Sequence, residues 1–173
     1  DGTTSRGLGD VYKRQVLCVT AAGNSGSSSW YYIIAPADAD SVISVGAVSE
    51  NDSIAAFSSH GPTSDGRTKP EVCARGQQTW CVNPNSNTNY SRLSGTSLAC
   101  PLVAGAAAFI IQARPRWSAM EVREAMMMTA SNADNPDNTY GYGILNAGEA
   151  INYGTTSNND NADYLPSDYN IIR

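Results

Sequence analysis

The chain has 173 residues, of which 41% are hydrophobic, so it is long and apolar enough for one domain with a sizeable core. Its formal net charge of -5, without any basic run, argues against nucleic acid as a partner. The longest apolar stretch, residues 98–111, is shorter than the roughly twenty residues that cross a bilayer, so it predicts a buried core helix and no membrane partner.

Composition predicts three segments along the chain. Residues 1–15 differ in composition from the rest of the chain and contain no apolar stretch typical of a signal peptide. We expect them to be a non-native or unrelated segment, and the alternative is a genuine N-terminal segment. Residues 16–153 form the predicted domain. Residues 154–173, rich in Asn, Asp, Ser and Thr, are expected to be a polar linker or tail.

Two strands are predicted early in the domain. Residues 16–21 form a continuous apolar run, typical of a strand covered on both faces in a parallel sheet, and residues 41–48 are rich in β-branched side chains. The first run ends at a glycine-flanked asparagine, Asn24, which by itself indicates only a turn. The aromatic residues 30–32 come next in the chain. We expect them to pack against a neighbouring helix, and ligand binding is the alternative.

The four cysteines favour a disulfide at most, and no zinc site. Cys73 and Cys81 flank a short polar segment and would close a local disulfide in an exported protein. Cys18 and Cys100 lie in apolar stretches, where a free buried cysteine is expected. The chain has one histidine and no Cys-x-x-Cys pair, so we expect no metal site built from these residues.

The second half of the domain predicts helices. Residues 83–91 are polar and predict a surface loop, and residues 97–113 predict a helix that ends at an Arg-Pro pair. Ser118 and Glu121 have the spacing of a capping box, which predicts the start of a second helix. We expect the methionines at 126–128 to fill the core.

Residues 94–108 combine a glycine turn, two hydroxyls and a helix of small residues. A serine at such a helix start lies beside unpaired backbone N–H groups and the positive end of the helix dipole. This environment suits a nucleophile whose carbonyl substrate becomes an oxyanion. The alternative is that Thr96 or Ser97 is simply the N-cap of the helix.

Residues 95–105, Gly-Thr-Ser-x-Ala-x-Pro-x-Val-Ala-Gly, resemble the signature around the catalytic serine of the subtilisin-like serine proteases, the subtilases. Residues 21–24 and 140–147 resemble two further segments of that family, and the resemblance covers about residues 16–153. It implies that Ser97 is the nucleophile and that the Asn24 side chain and the Ser97 N–H form the oxyanion hole. The implied substrate-binding residues are Ala21, Ala22 and Gly23 in the pocket wall, with Pro36 and Ala37 at its mouth.

The resemblance also implies an α/β fold of the subtilisin-like three-layer type, with a mainly parallel sheet and helices on both faces, truncated at its N-terminus. The position of His60, the single histidine, is variable in the family pattern, which makes it a turn residue rather than the general base. The catalytic Asp and His of subtilases precede the segment at 21–24, and no match to either motif is present in this chain.

The expected function is therefore that of a serine endopeptidase represented by a fragment that is inactive alone. The alternative is a non-catalytic, subtilase-like binding protein. The family implies protein or peptide substrates, an upstream part of the same domain as partner, and a secreted or cell-surface location. It requires no cofactor for the chemistry, and a structural calcium ion is compatible with the resemblance at a site that the sequence does not identify.

Overall fold

A parallel three-stranded sheet forms the centre of the structure, a computed structural model that describes residues 16–154 except Pro84 and Asn87. The strands β1 (Cys18–Ala21), β2 (Val42–Val48) and β3 (Val72–Arg75) lie in the order β1-β2-β3. In this register Val45 of β2 pairs with Ala21 on one side and Val72 on the other. The segments predicted at 1–15 and beyond Gly154 lie outside the described residues.

A β-hairpin leads to the serine turn, where the sequence predicted only a surface loop. Its strands β4 (Thr79–Val82) and β5 (Tyr90–Leu93) are antiparallel and pair Trp80 with Arg92. The guanidinium of Arg92 lies 4.8 Å from the Trp80 ring centroid, a cation–π contact. The prediction of loop for residues 90 and 91 is wrong, because cross-strand pairing overrides the polar local sequence.

Three helices follow the hairpin: α1 (Thr96–Ala113), α2 (Ala119–Met128) and α3 (Ala147–Asn152). The predicted capping box of α2 is present. Ser118 Oγ accepts a hydrogen bond from Glu121 N at 3.3 Å, and Glu121 Oε2 accepts one from Ser118 N at 2.6 Å. Of the three adjacent methionines only Met126 is fully buried, and Met128 is exposed.

The core lies between the sheet and α1. Small and branched side chains of α1 pack across all three strands, and residues of α2 and α3 join the same cluster. The opposite face of β2 is closely covered at Gly46, where an added Cβ would lie 3.0 Å from Pro70 Cγ and 3.4 Å from Ser58 Oγ. The predicted α/β class is confirmed. The described helices and the Ile43–Val45–Ala47 face of β2 share one core.

Helix α1 is buried along one face only, contrary to the prediction of a buried core helix. Leu102 and Ile111 are exposed, and nothing lies within 4 Å of a Cβ built on Gly105. The helix is long and apolar enough to cross a membrane by length and composition, with 28% of its residues buried. Its buried face packs on a sheet, as the core helix of a globular domain does.

Candidate active site

Ser97 is exposed at the second position of α1, just beyond the turn at Gly95. Its backbone N–H belongs to the first turn of the helix, where such groups have no intrahelical acceptor. Gly95 occupies the N-cap position, and neither the Thr96 nor the Ser97 side chain caps the helix. The alternative interpretation of Thr96 or Ser97 as the N-cap is therefore wrong.

Thr96, fully buried, joins the serine turn to the asparagine turn that follows β1. Asn24 Oδ1 accepts hydrogen bonds from Thr96 N at 2.9 Å and from Thr96 Oγ1 at 3.0 Å. Thr96 Oγ1 in turn accepts a hydrogen bond from Gly23 N at 3.2 Å. These contacts hold the carbonyl end of the Asn24 amide, so the Nδ2 end is the one that remains for a ligand.

Gly95 is the point at which Ser97 and Asn24 meet. A Cβ built on Gly95 would lie 3.1 Å from Ser97 Oγ and 3.5 Å from Asn24 Nδ2. The nucleophile candidate and the donor candidate therefore border the same small space, although 72 positions separate Asn24 from Thr96 in the chain. This arrangement can place a carbonyl carbon near Ser97 Oγ while its oxygen meets Asn24 Nδ2.

The predicted pocket wall is held closely by its neighbours. Ala21 is half-buried, and Ala22 and Gly23 are buried. Gly23 adopts φ 113°, and a Cβ there would lie 2.8 Å from Ser59 Oγ and 2.9 Å from Ile34 Cγ1. Glycine is required at this position, because both the positive φ and the close contacts exclude a side chain.

The predicted pocket mouth connects to this wall through Ile34. Ile34 N donates a hydrogen bond to Ala22 O at 3.2 Å, and Ala37 N donates one to Ile34 O at 2.9 Å. Ala37 is buried and Pro36 is exposed. The sequence analysis missed Ile34 and the orienting role of Thr96. Thr96 lay inside a recognised motif, whereas no sequence signal marked Ile34.

His60 lies in a different environment from the serine turn. It is buried, its ring stacks on that of Tyr31 with centroids 4.5 Å apart, and its Nδ1 has no hydrogen-bond partner among the described residues. Burial lowers the pKa of His60, while a backbone hydrogen bond with Asn138 and the charge of Asp137 oppose that shift. Within the part of the chain that the structure describes, no contact joins His60 to Ser97.

The exposed aromatic side chains Trp30, Tyr31 and Tyr32 form a surface cluster. Tyr31 stacks on His60 and meets Tyr32 edge to face at 5.4 Å. The prediction that these residues pack against a helix is wrong, because their partners are one another and a loop histidine.

The described cysteines are free, so the disulfide between Cys73 and Cys81 is not formed. Cys73 Sγ donates a hydrogen bond to Tyr140 O at 3.5 Å, and its burial raises its pKa to about 12. Cys81 Sγ contacts Ser91 O instead. Cys18 is exposed and Cys100 is half-buried, so the prediction that both are buried is wrong. Both cysteines belong to elements that the described residues leave partly uncovered.

A buried cluster of charged side chains contacts the segment at residues 38–42. Glu71 Oε1 lies 2.6 Å from Lys69 Nζ and 2.8 Å from Arg123 Nη2. The two cations also reach the backbone, since Lys69 Nζ donates to Ala39 O at 2.9 Å and Arg123 Nε donates to Val42 O at 3.3 Å. Burial lowers the pKa of Lys69, and the charge of Glu71 opposes that shift. The Lys69 and Arg123 side chains are thus the hydrogen-bond donors to the carbonyls of Ala39 and Val42.

The described residues contain no evident metal-binding site. Among them, no group of three or more His, Cys, Asp or Glu side chains is arranged to hold a metal ion. The structure therefore assigns no site to the structural calcium ion that the resemblance leaves open.

Comparison with known proteins gives a consistent family assignment. The profile described as the subtilase family matches residues 3–143. Subtilisin DY of Bacillus licheniformis is 44% identical over 137 residues, which cover 79% of this chain and 47% of that protein. Serine protease AprX of Bacillus subtilis (strain 168) is 34% identical over 166 residues, which cover 84% of this chain and 37% of that protein.

A solved structure, the self-cleaved protease domain of PatA, superposes with a TM-score of 0.68 at 28% identity. The match covers 88% of this chain and 55% of that domain. The chain therefore spans about half of the length of the relatives it matches, or less.

Proposed function

Because the chain belongs to the subtilase family of serine-type peptidases, we propose that it is the C-terminal part of a serine endopeptidase domain with Ser97 as the nucleophile. The observation that carries this proposal is the convergence of Ser97 Oγ and Asn24 Nδ2 beside Gly95. The orientation of Asn24 by the buried Thr96 supports it, because this contact leaves the donor end of the amide available.

In the proposed reaction Ser97 Oγ attacks the carbonyl carbon of a peptide bond, and the carbonyl π electrons move to its oxygen. Asn24 Nδ2 and the Ser97 N–H donate hydrogen bonds to the resulting oxyanion. Collapse of this intermediate breaks the C–N bond, leaves an acyl group on Ser97 and releases the amine, which takes up the proton that the Ser97 hydroxyl lost. Water then hydrolyses the acyl group and restores the Ser97 hydroxyl. Subtilases need no cofactor for these steps.

The hydroxyl proton of Ser97 must pass to a base, which we assign to the upstream part of the same catalytic domain. His60 is set aside because its contacts are with Tyr31 and the loop around Asn138. The family order of Asp, His and Ser supports this assignment, as does the roughly half-length span of the chain. We therefore propose that the chain alone is inactive. From the family resemblance we also propose that the whole protease acts outside the cell.

A second candidate function is a non-catalytic binding protein with the same scaffold. The presence of both Ser97 and an oriented Asn24 favours the protease, since binding alone needs neither group. The coding sequence upstream of codon 16 discriminates between them: an open frame without a His-Gly-Thr motif would support the binding protein.

Substrate preference is proposed from the small side chains of the pocket wall. Ala21, Ala22 and Gly23 carry little bulk and no charge, and from this we propose that a large apolar or aromatic residue is preferred just before the cleaved bond. Asp38 and Asp40, which follow the pocket mouth, are the residues that would instead favour Arg or Lys. A peptide library cleaved by the complete enzyme, with and without Asp38→Asn and Asp40→Asn, separates the two preferences.

The central experiment compares the chain alone with the complete protease on a fluorogenic peptide. The chain alone should show no turnover above background, and the complete protease should lose turnover with Ser97→Ala. Asn24→Ala should lower kcat by about a hundred- to a thousandfold, the loss known for removal of such a donor in a subtilisin.

The matched control is Asn89→Ala in the exposed hairpin loop, which should leave kcat unchanged. Turnover by the chain alone that disappears in Ser97→Ala would contradict the proposed need for an upstream base.

A further inference from the structure

A cavity of about 380 Å³ lies on the segment that leads to the proposed pocket mouth. Its lining includes Trp30, Tyr32, Ile33, Asp38 and Pro62. Ile33 borders this cavity, whereas the next residue, Ile34, contacts the pocket wall at Gly23. The cavity and the proposed substrate pocket thus lie on neighbouring residues of one segment. A volume of this size falls in the range of sites for small ligands and side chains.

The aromatic rings of the cavity are held in place before any ligand binds. Trp30 Nε1 donates a hydrogen bond to Ile33 O at 3.4 Å, and Tyr32 N donates one to Trp30 O at 2.6 Å. The Tyr32 ring rests against Tyr31, which is itself stacked on the buried His60. Binding of a ligand would therefore cost less free energy for ordering side chains than binding to a site whose rings were mobile.

The charge around the cavity is negative. Asp38 lines it, and Asp40 and Asp65 lie nearby. The neighbouring cations are Arg67 and the buried Lys69, and Lys69 is paired with Glu71. Arg67 Nε lies 2.9 Å from Asp65 Oδ2, so the charge of Arg67 is already paired. Arg67 contacts Asp38 through the backbone oxygen, at 2.8 Å from Nη2. Within the described residues, the Asp38 carboxylate forms no ion pair.

We propose that this cavity binds the side chain of an arginine residue in a peptide substrate. The peptide nature of the ligand rests on the proposed function, and the binding of the guanidinium group does not. A guanidinium is flat, stacks on aromatic rings and donates paired hydrogen bonds to a carboxylate. Trp30, Tyr32 and Asp38 supply these two kinds of partner around one space. A lysine ammonium would gain less, since it offers no flat surface to the rings.

The test uses the chain as it is and Nα-acetyl-argininamide as the probe, with the citrulline derivative as its uncharged analogue. Ligand-observed saturation-transfer NMR is suitable, because it also works on self-associated protein. We expect the arginine probe to bind at least threefold more tightly than the citrulline probe. Asp38→Asn and Trp30→Ala should each weaken binding of the arginine probe two- to fivefold, whereas Asp38→Glu should retain it.

The matched controls are Trp80→Ala and Asp134→Asn, an exposed tryptophan and an acidic residue away from the cavity. Both should bind the probe like the unmodified chain. Equal affinity for the two probes, or equal losses in Trp30→Ala and Trp80→Ala, would overturn the proposal, as would the absence of saturation transfer. Ser97→Ala should bind the probe normally, so failure of this site and failure of the proposed catalysis are distinguishable.

Discussion

At the scale of single residues, Thr96 determines whether Asn24 can act as a donor. Its hydroxyl both accepts from Gly23 N and donates to Asn24 Oδ1, so one buried side chain joins two turns that are distant in sequence. The same contacts select which end of the Asn24 amide faces Gly95. In the proposed reaction Ser97 and Asn24 supply the chemical groups, and Thr96 positions Asn24.

Thr96→Val should destabilise the chain by about 1–3 kcal/mol, because it leaves Gly23 N and Asn24 Oδ1 without the hydroxyl partner in a buried site. Urea unfolding measures this loss. Thr96→Ser should recover most of it. Thr129→Val is the control, since that hydroxyl donates to Ala125 O at the C-terminal end of α2 and its loss should cost less. In the complete protease, Thr96→Val should lower kcat more than it raises KM, which a purely structural role would not produce.

The His60 imidazole should titrate below the ordinary value of 6.5, because burial disfavours its charged form. The chain contains one histidine, so its NMR signal is unambiguous. A folded-state pKa below the unfolded value means that the unfolded chain binds more protons. The resulting stability is therefore present above pH 6.5 and is lost as the pH falls towards the folded pKa. In His60→Gln this acid-dependent loss should be smaller, and a midpoint above 6.5 in the chain would contradict the burial.

At the scale of elements, the cluster around Glu71 joins the strands to α2 and to the segment beside the proposed arginine site. Glu71 Oε2 accepts a hydrogen bond from Ser44 N at 2.7 Å, so the carboxylate also contacts β2. Lys69 and Arg123 extend the contacts to the carbonyls of Ala39 and Val42. This network holds a loop in place without a metal ion among its partners in the described residues.

Glu71→Gln should destabilise the chain by about 3–5 kcal/mol, because it leaves the buried Lys69 ammonium without its counter-charge. Asp65→Asn is the matched control, since it removes one partner of the exposed pair with Arg67 and should change the unfolding free energy little. Denaturant unfolding of both variants tests the contrast. Equal losses would show that burial does not govern the strength of these pairs.

At the scale of the whole molecule, α1 and β1 have apolar groups and a strand edge that nothing in the described part covers. Leu102 and Ile111 of α1 are 49% and 43% exposed. In the described residues β1 also pairs on one side only, with β2, so it presents an open strand edge. Exposed apolar surface and open edges favour association with other chains. We expect these uncovered surfaces to meet the upstream part of the proposed catalytic domain.

The chain alone should therefore self-associate. Leu102→Gln combined with Ile111→Gln should reduce the association, as measured by light scattering during gel filtration. The control is Trp80→Gln combined with Val82→Gln, which removes exposed apolar groups from the hairpin and should leave the association unchanged. A monomeric elution volume would contradict the expectation.

The sequence by itself determined the local features whose residues interact over short distances. The β-branched run of β2, the capping box at Ser118 and the glycine turn before Ser97 are each specified by neighbours in the chain, and each was predicted. The family followed from residues 95–105, because so many positions in one short segment agree with the subtilase signature. The family comparisons confirm that assignment.

Contacts between distant segments were decided only by the tertiary structure. Tyr90 and Leu93 are in a strand because β4 lies opposite them. The Tyr31 ring stacks on His60, a residue from a different segment of the chain. The orientation of the Asn24 amide depends on Thr96, a residue 72 positions away. Such pairings are set by which segments the fold brings together. Propensity and spacing describe neighbours in the chain, so they carry no information about these pairings.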